Sequence, residues 1–303
     1  MPASLLMILA SFLFATMSVC VKLASAYYDA GEIVMYRGMV GVTMLFLLTR
    51  AQGQSLRTTV PTLHFWRSLS GVISLSLWFY SIGKLPLATA MTLNYMSSVW
   101  MALFLIGGAV MLGSAKIDPR LIAAVLLGFV GVALVLRPTI DQDQMWHGLA
   151  GLASGVLSAT AYLQVTSLGR SGEPEFRIVF YFSLGGAIAG ALSTLALTVS
   201  GQGNPHGHSL KGLALLLAVG VLATVAQLMM TRAYSRGKTL VNASLQYLGI
   251  LFSFIYGVTL FHDPVTAWAL GGMSLIVGAG LAATLLRANT TPQDSQNHAI
   301  TET

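Results

Sequence analysis

The sequence predicts an all-α integral membrane protein of ten transmembrane helices, arranged as an inverted repeat of two five-helix halves with both termini cytoplasmic. Hydrophobic residues make up 55% of the chain and charged residues only 9%, whereas soluble domains carry about 25% charged residues. Apolar runs of about 20 residues recur along the chain, and such runs cross a bilayer as helices. An outer-membrane barrel would need alternating segments of about 10 residues instead.

Gly, Pro and Asp separate the apolar runs, as expected where a chain turns at a membrane surface. The first run is too long for the core of a signal peptide and no cleavage site sets it apart. The polar residues 288–303 are predicted to form a disordered cytoplasmic tail. The ten predicted spans are residues 3–24, 32–50, 65–83, 87–112, 119–137, 148–169, 175–199, 210–233, 239–261 and 265–286.

The basic residues predict the orientation in the membrane. When the loops are numbered alternately, 11 of the 16 Lys and Arg residues, Arg67 among them, fall on one side. Cytoplasmic loops carry an excess of Lys and Arg, so both termini are predicted to be cytoplasmic and the chain is expected in the inner membrane. The net charge of +6 is spread between apolar runs, which argues against a nucleic-acid partner.

The two halves of the chain align with each other, which predicts a duplication. Residues 1–140 would form the first five-helix repeat and residues 141–287 the second, together building one domain. Because five is odd, the second copy enters the membrane upside down, and such inverted repeats are typical of secondary transporters. The aligned segments are Ala15-Thr16 with Ala159-Thr160, Glu32 with Glu175, and 128–137 with 278–287.

A carboxamide next to a phenol occurs once in each half, as Asn94-Tyr95 in span four and Gln246-Tyr247 in span nine. Each carboxamide lies about eight residues into its span, a depth of about 12 Å at 1.5 Å per residue. The hydrocarbon core is about 30 Å thick, so both side chains approach the midplane from opposite faces. Alternating-access carriers place their substrate there, although such side chains also bridge helices without binding anything.

Short motifs follow one another in a recognisable order: Tyr36-Arg37-Gly38, then residues 83–88, then residues 260–266. In this order, and with the duplicated unit, residues 3–287 resemble the drug/metabolite transporter superfamily in its ten-span EamA-type branch. The resemblance implies a carrier that exports metabolites, most readily amino acids. The chain has Ser97-Ser98 where that family often has a proline, so no role is carried over to those two positions from the family.

Polar and aromatic side chains at membrane depth are the predicted substrate-binding residues. Trp and Tyr offer a flat apolar face with one hydrogen-bonding tip, which together with carboxamides suits a small zwitterion with a neutral or aromatic side chain. Arg37 either pairs with a substrate carboxylate, snorkels outwards or pairs with Glu32. The candidates are Asn94, Tyr95, Gln246, Tyr247, Trp78, Tyr80, Ser98, Trp100, Tyr162, Gln164, Tyr181 and Arg37.

The acidic residues bear on the energy source. All ten Asp and Glu residues lie in loops, at span ends or in the tail, whereas proton-coupled carriers usually hold a carboxylate at membrane depth. We therefore expect transport without carboxylate-based proton coupling. No cofactor is predicted. No metal site is predicted either, because the loop that holds His206 and His208 offers no third strong ligand.

Several function classes stay open. Within transport, the alternative to an amino-acid exporter is a nucleotide-sugar or other metabolite carrier, whose anionic cargo would favour several basic groups where only Arg37 is expected. A pump is disfavoured because no GxxxxGK[ST] loop occurs. A membrane-embedded enzyme, which would want clustered His, Asp or Cys at depth, or a channel is the alternative of another class. A ten-span chain can enclose a cavity alone, so the sequence is compatible with a monomer.

Overall fold

The chain folds as packed helices in a computed structural model that describes residues 2–111, 120, 123, 126–134, 144–201, 209–237, 241–242 and 245–288, with no strand among them. The helices are α1 Ala3–Ala24, α2 Ala30–Ala51, α3 Pro61–Lys84, α4 Leu87–Tyr95, α5 Ser97–Met111, α6 Met145–Arg170, α7 Glu175–Val199, α8 Leu210–Arg236, α9 Leu248–Tyr256 and α10 Ala267–Ala288. A π-helical turn, Gly257–Phe261, continues α9. A further helical stretch covers 126–134.

The all-helical membrane class is confirmed. Five of the described helices, α1, α2, α6, α7 and α8, are both long and apolar enough to cross a bilayer. The ends of α1 and α7 coincide with the predicted spans 3–24 and 175–199. Parts of the predicted span five, the junction 135–143 between the two halves and the tail 289–303 lie outside the described residues.

Helices from the two halves of the chain pack against each other in pairs. The most extensive contacts join α1 with α8, α2 with α7, and α3 with α6, and α4 packs on both α6 and α9. The stretch 126–134 packs on α10, where a Cβ added to Gly131 would lie 2.8 Å from the carbonyl oxygen of Gly272. The core is therefore built between the halves rather than inside either one.

Glycines let α2 and α7 cross at close range. A Cβ added to Gly38 would lie 2.6 Å from the carbonyl oxygen of Ser183, and one added to Gly190 would lie 2.6 Å from that of Gly31. Small residues at such crossings allow backbones to approach within a membrane. This contact holds the middle of α2, which carries Arg37, against α7.

Spans four and nine, predicted at 87–112 and 239–261, are each interrupted at or next to the carboxamide–phenol pair, which the sequence pattern does not indicate. The fourth span is interrupted at Met96, between α4 and α5, and the ninth at Gln246 and Tyr247, before α9. Around both breaks the hydrogen bonds tighten to a three-residue spacing, as in Val99 N–H to Met96 O at 2.9 Å. Such tightening accompanies bends in helices.

The first break lies where α6 packs closely on the end of α4, and neither Pro nor Gly marks it in the sequence. A Cβ on Gly155 of α6 would lie 2.7 Å from the carbonyl oxygen of Leu93 and 3.1 Å from that of Asn94. The glycine therefore lets α6 press directly against the end of α4. Periodicity along one helix does not reveal such a contact between helices.

Candidate functional site

A small cavity of ≈ 50 Å³ lies in the middle of the helix bundle, beside both interrupted spans. Helices α1, α2, α3, α4, α6, α7 and α8 all contribute side chains to its wall. Pockets that hold small molecules are usually about 300–1,000 Å³, so a cargo needs this cavity to widen. The polar and aromatic lining residues are Ser11, Phe14, Arg37, Arg67, Ser74, Trp78, Asn94, Tyr95, Ser158, Tyr162, Phe182, Gln227 and Gln246.

Half of the predicted binding residues meet in this cavity. Asn94, Tyr95, Gln246, Trp78, Tyr162 and Arg37 all line it. They arrive from different helices, because α4 supplies Asn94 and Tyr95 while the break before α9 supplies Gln246. The carboxamides of the two halves thus share one wall.

The remaining six predicted residues lie elsewhere. Tyr80 is 43% exposed and stacks on His147 at 4.9 Å. Tyr181 donates its hydroxyl to the Leu56 carbonyl at 3.0 Å. The carboxamide oxygen of Gln164 accepts a hydrogen bond from Ser70 at 2.8 Å. Trp100 packs on Phe104 and Phe129 outside the cavity. Tyr247 lines an apolar groove beside α9 and α10. Ser98 also lies outside the cavity lining.

Asn94 is held by hydrogen bonds to α6. Its Nδ2 donates to Ser154 Oγ at 2.9 Å and to Ser158 Oγ at 3.2 Å. Ser74 of α3 joins the same group, 2.7 Å from Ser158 Oγ. Buried amides need such partners in a membrane interior, so Asn94 connects α4 to α3 and α6 as well as facing the cavity.

Gln246 is held less firmly than Asn94. Its Nε2 lies 3.8 Å from the sulfur of Met230, a weak acceptor, and its side chain also interacts with Tyr162, while its Oε1 has no close hydrogen-bond partner among the described residues. Trp78 contributes a buried indole Nε1 that has no hydrogen-bond partner among the described residues. The cavity therefore offers hydrogen-bonding groups that a bound molecule can engage.

Two arginines face the cavity from neighbouring helices. Arg37 of α2 is 3% exposed and Arg67 of α3 is 2% exposed. Their guanidinium carbons lie over the same ring, Phe182 of α7, at 5.0 Å and 4.2 Å from its centroid. Both side chains turn inward, which argues against the outward snorkelling of Arg37 that the sequence also allows.

Arg67 is counted with the cytoplasmic basic residues in the sequence, at the edge of the predicted span 65–83. In the structure it lies in the second turn of α3, which begins at Pro61, earlier than the predicted span, and it lines the cavity. Helical spacing is the sequence signal that points to Arg67 as a cavity residue. One face of α3 carries Arg67, Gly71, Ser74 and Trp78 in succession, and all four line the cavity. Counting charges for orientation treats every Arg near a span end as a loop residue.

Polar contacts tie the helices together at each end of the bundle. At one end, Lys22 Nζ lies 3.2 Å from Asp263 Oδ1, and the other carboxylate oxygen accepts the Leu87 N–H at 2.9 Å. This links α1, the start of α4 and the turn before α10.

At the other end, the Glu173 carboxylate between α6 and α7 holds three partners. His64 Nε2 lies 3.1 Å away, Thr58 Oγ1 donates at 2.9 Å and Arg177 Nη1 donates at 3.1 Å. Burial raises the pKa of Glu173, but the hydrogen bonds from His64, Thr58 and Arg177 outweigh it, so the pKa lies below its ordinary value. The ionised carboxylate is therefore the form that fits this end.

Comparison with known proteins assigns the family. Residues 1–137 match the EamA-like transporter family. Over 281 residues the chain is 34% identical to a pseudopaline exporter of Pseudomonas aeruginosa, an alignment that covers 92% of this chain and 94% of the relative. The chain belongs to the EamA-like transporter family. As a member of the drug/metabolite transporter superfamily it is a membrane-embedded transporter of a small-molecule substrate, which is not an enzyme class.

More distant relatives of this EamA-like transporter are also transporters. It is 26% identical over 281 residues to a riboflavin transporter of Rhizobium johnstonii, covering 92% of this chain and 89% of the relative. It is 24% identical over 294 residues to solute carrier family 35 member G1 of Mus musculus, covering 92% and 77%. A crystal structure that is 19% identical superposes with a TM-score of 0.68 over 96% of this chain and 99% of the other, so the two share a fold.

Proposed function

We propose that this transporter exports small metabolites across the inner membrane, with amino acids and amino-acid derivatives as the favoured class. The observation that carries the proposal is the central cavity, where carboxamide, phenol, indole and guanidinium groups converge from helices of both halves. The named cargoes of the relatives, pseudopaline and riboflavin, differ from each other. The family therefore leaves the cargo open, and the chemistry of the cavity must select it.

We also propose ten spans in two inverted halves, residues 1–140 and 141–287, with cytoplasmic termini. A two-fold axis in the membrane plane would exchange the α1–α8 pair with the α3–α6 pair, and would map the α2–α7 pair onto itself. These are the pairs that pack most extensively. The two helix breaks fall at corresponding positions of the two halves, as in carriers with discontinuous central helices.

Alternating access is the mechanism that this architecture supports. On the proposed orientation, the Lys22–Asp263 pair lies at the outer face and the Glu173 group at the cytoplasmic face. If the contacts at one end break while those at the other end remain, the central cavity would open towards a single side of the membrane at a time.

Transport is proposed to proceed without carboxylate-based proton coupling. The side chains that line the cavity in the described part of the chain include no carboxylate, and proton-coupled carriers usually use one at membrane depth. Uphill accumulation driven by a pH gradient in reconstituted vesicles would contradict this proposal.

Counterflow in liposomes tests the proposed function. Purified protein would be reconstituted with an unlabelled amino acid inside, and uptake of the labelled compound measured for a panel of amino acids, nucleosides and sugars. Uptake of amino acids above that of protein-free liposomes is expected. A folded protein that exchanges no amino acid from the panel would refute the cargo class.

An anionic metabolite such as a nucleotide sugar is the second candidate, because Arg67 joins Arg37 in the cavity. The sequence alone places one basic group near the site and therefore favours a neutral or aromatic cargo. Two guanidinium groups facing one ring provide the positive charge that an anionic cargo requires.

A further inference from the structure

Two positive charges share the cavity, and the described residues that line it include no carboxylate. The guanidinium groups of Arg37 and Arg67 both face Phe182. Nε of both residues and Nη1 of Arg67 are buried without a partner. Each guanidinium has five N–H donors, and contact with one aromatic face cannot satisfy them.

Three of the carboxylates that the structure describes are engaged elsewhere. Asp263 pairs with Lys22, Glu173 with His64 and Arg177, and Glu175 with Arg232. Buried unpaired charge is among the most costly features of a membrane interior, and two like charges at close range repel each other. Two buried guanidinium groups therefore favour the binding of negative charge in this cavity.

The backbone also makes room for one of these charges. A Cβ added to Gly71, one turn after Arg67 on α3, would collide with Arg67 Nη1 and would lie 2.9 Å from Phe182 Cε2. Glycine at this position lets the guanidinium lie flat between α3 and the ring. The position of the Arg67 guanidinium is thus set by the contact between α3 and α7, and the side chain does not extend towards solvent.

We infer that the cavity binds a cargo that carries two acidic groups, each held by one guanidinium, with carboxylate or phosphate oxygens as the acceptors. The inference rests on the proposed transport function and gives its substrate class. Arg matches both oxyanions because its donors form a planar fork that can bind two oxygens at once. Because both charges face one ring, a single small molecule, such as an amino dicarboxylic acid, can reach both, and its remaining polar groups would meet Asn94, Gln246 and Trp78.

An anionic cargo also provides an energy source that needs no proton. Each net negative charge that leaves a cell moves down the inside-negative membrane potential, which supports a concentration ratio of roughly 50-fold per charge at 100 mV. After the cargo has left, the two arginines make the cavity positively charged. The same inside-negative potential then favours reorientation of the unloaded transporter to its inward-facing state. Export would then be concentrative even though the described lining of the cavity has no carboxylate to carry a proton.

Matched pairs of labelled compounds test the substrate class on the unmodified protein. Efflux from proteoliposomes would be compared for glutamate and glutamine, and for aspartate and asparagine, which differ in charge but hardly in size. A separate arm uses glucose 6-phosphate and a nucleotide sugar, which identifies the oxyanion. We expect at least tenfold faster efflux of a diacidic compound than of its neutral partner, and several-fold acceleration when valinomycin and a potassium gradient make the interior negative.

Variants connect that selectivity to the two arginines. Arg37→Gln and Arg67→Gln are each expected to slow efflux of the diacidic compound at least tenfold while the neutral partner is affected less. Arg57→Gln, at an exposed loop position, is the control and should leave both rates unchanged. Elution as a single peak in size-exclusion chromatography would establish that each variant is folded.

The possible outcomes separate the inference from the proposed function. Efflux of neutral or aromatic amino acids without any preference for acidic compounds would overturn the inference and leave the transport proposal standing. Absence of efflux for every compound would count against the proposed cargo class itself. Efflux of a diacid that does not respond to the membrane potential would refute the potential-driven export.

Discussion

The ring of Tyr95 lies directly over Gly249, so a Cβ at position 249 would come within 2.5 Å of Tyr95 Cε2 and 2.8 Å of its hydroxyl oxygen. The phenol of the first repeated motif therefore packs on the first turn of the helix that follows the second motif. The two interrupted spans interlock at this point, next to the cavity that Tyr95 lines. This contact leads to the first prediction.

Gly249→Ala is expected to destabilise the protein and to slow transport. Tyr95 is buried and cannot withdraw freely, and overpacking of this kind typically costs about 1–3 kcal/mol. Thermal unfolding in detergent and counterflow would measure the two effects. Gly271→Ala, where an added Cβ meets nothing within 4 Å, is the matched control, and equal effects of the two substitutions would contradict the packing argument.

Gly71→Ala should impair both the cargo site and the fold. The added methyl group would displace Arg67 Nη1 and lie 2.9 Å from Cε2 of the buried Phe182 ring, so we expect a loss of stability of about 1–3 kcal/mol. Efflux of acidic compounds should fall severalfold because the guanidinium leaves Phe182. Gly107→Ala, with open space around its Cβ, should change neither quantity.

The two carboxamides should respond differently to truncation. Asn94→Ala removes two hydrogen bonds to the buried hydroxyls of Ser154 and Ser158, so it is expected to cost about 1–3 kcal/mol of stability. Gln246→Ala removes a weak contact to a sulfur atom and should reduce transport with a smaller loss of stability. Melting temperatures and counterflow rates of the same preparations would show this contrast, and a reversed order would assign the binding role to Asn94.

The limits of sequence-based prediction follow from the kinds of interaction involved. The ends of α1 and α7 could be predicted because the chain itself changes composition there, as at Glu173-Pro174 before α7. The break at Met96 could not, because no Pro or Gly marks it and the residue that packs there, Gly155, belongs to a distant helix. Arg67 is counted with the cytoplasmic basic residues because charge counting ignores its contact with Phe182.

The ion pair between Lys22 and Asp263 is expected to break during transport, when the protein opens at this end. Cysteines at these two positions, in a chain with Cys20→Ala, would be joined by a short reducible crosslinker, since Lys22 Nζ and Asp263 Oδ1 are only 3.2 Å apart. The crosslink is expected to stop transport, and a reducing agent should restore it. The single variant Lys22→Cys with the same reagent is the control, and undiminished flux through the crosslinked protein would exclude opening at this end.

At the opposite end, the Glu173 carboxylate should make stability depend on pH in the acidic range. Its pKa in the folded protein lies below the ordinary value of 4.5, so the ionised form contributes stability above that value. The contribution is lost as the pH falls through the lowered pKa of the folded state. Between about pH 5 and 7 the unmodified chain should therefore melt higher than Glu173→Gln, by an amount equivalent to about 1–3 kcal/mol for a buried charged hydrogen-bond group.

Melting curves recorded from pH 7 down to pH 3 would show this difference shrinking as Glu173 becomes protonated. Glu175→Gln is the matched control two residues away, because its partners Arg232 and Arg236 are largely exposed and exposed ion pairs contribute little. A difference between the unmodified chain and Glu173→Gln that stays constant down to pH 3 would mean that the carboxylate is not the stabilising form. In that case the contacts of Glu173 with Thr58 and His64 would stabilise the protein through hydrogen bonds that do not require a negative charge on Glu173.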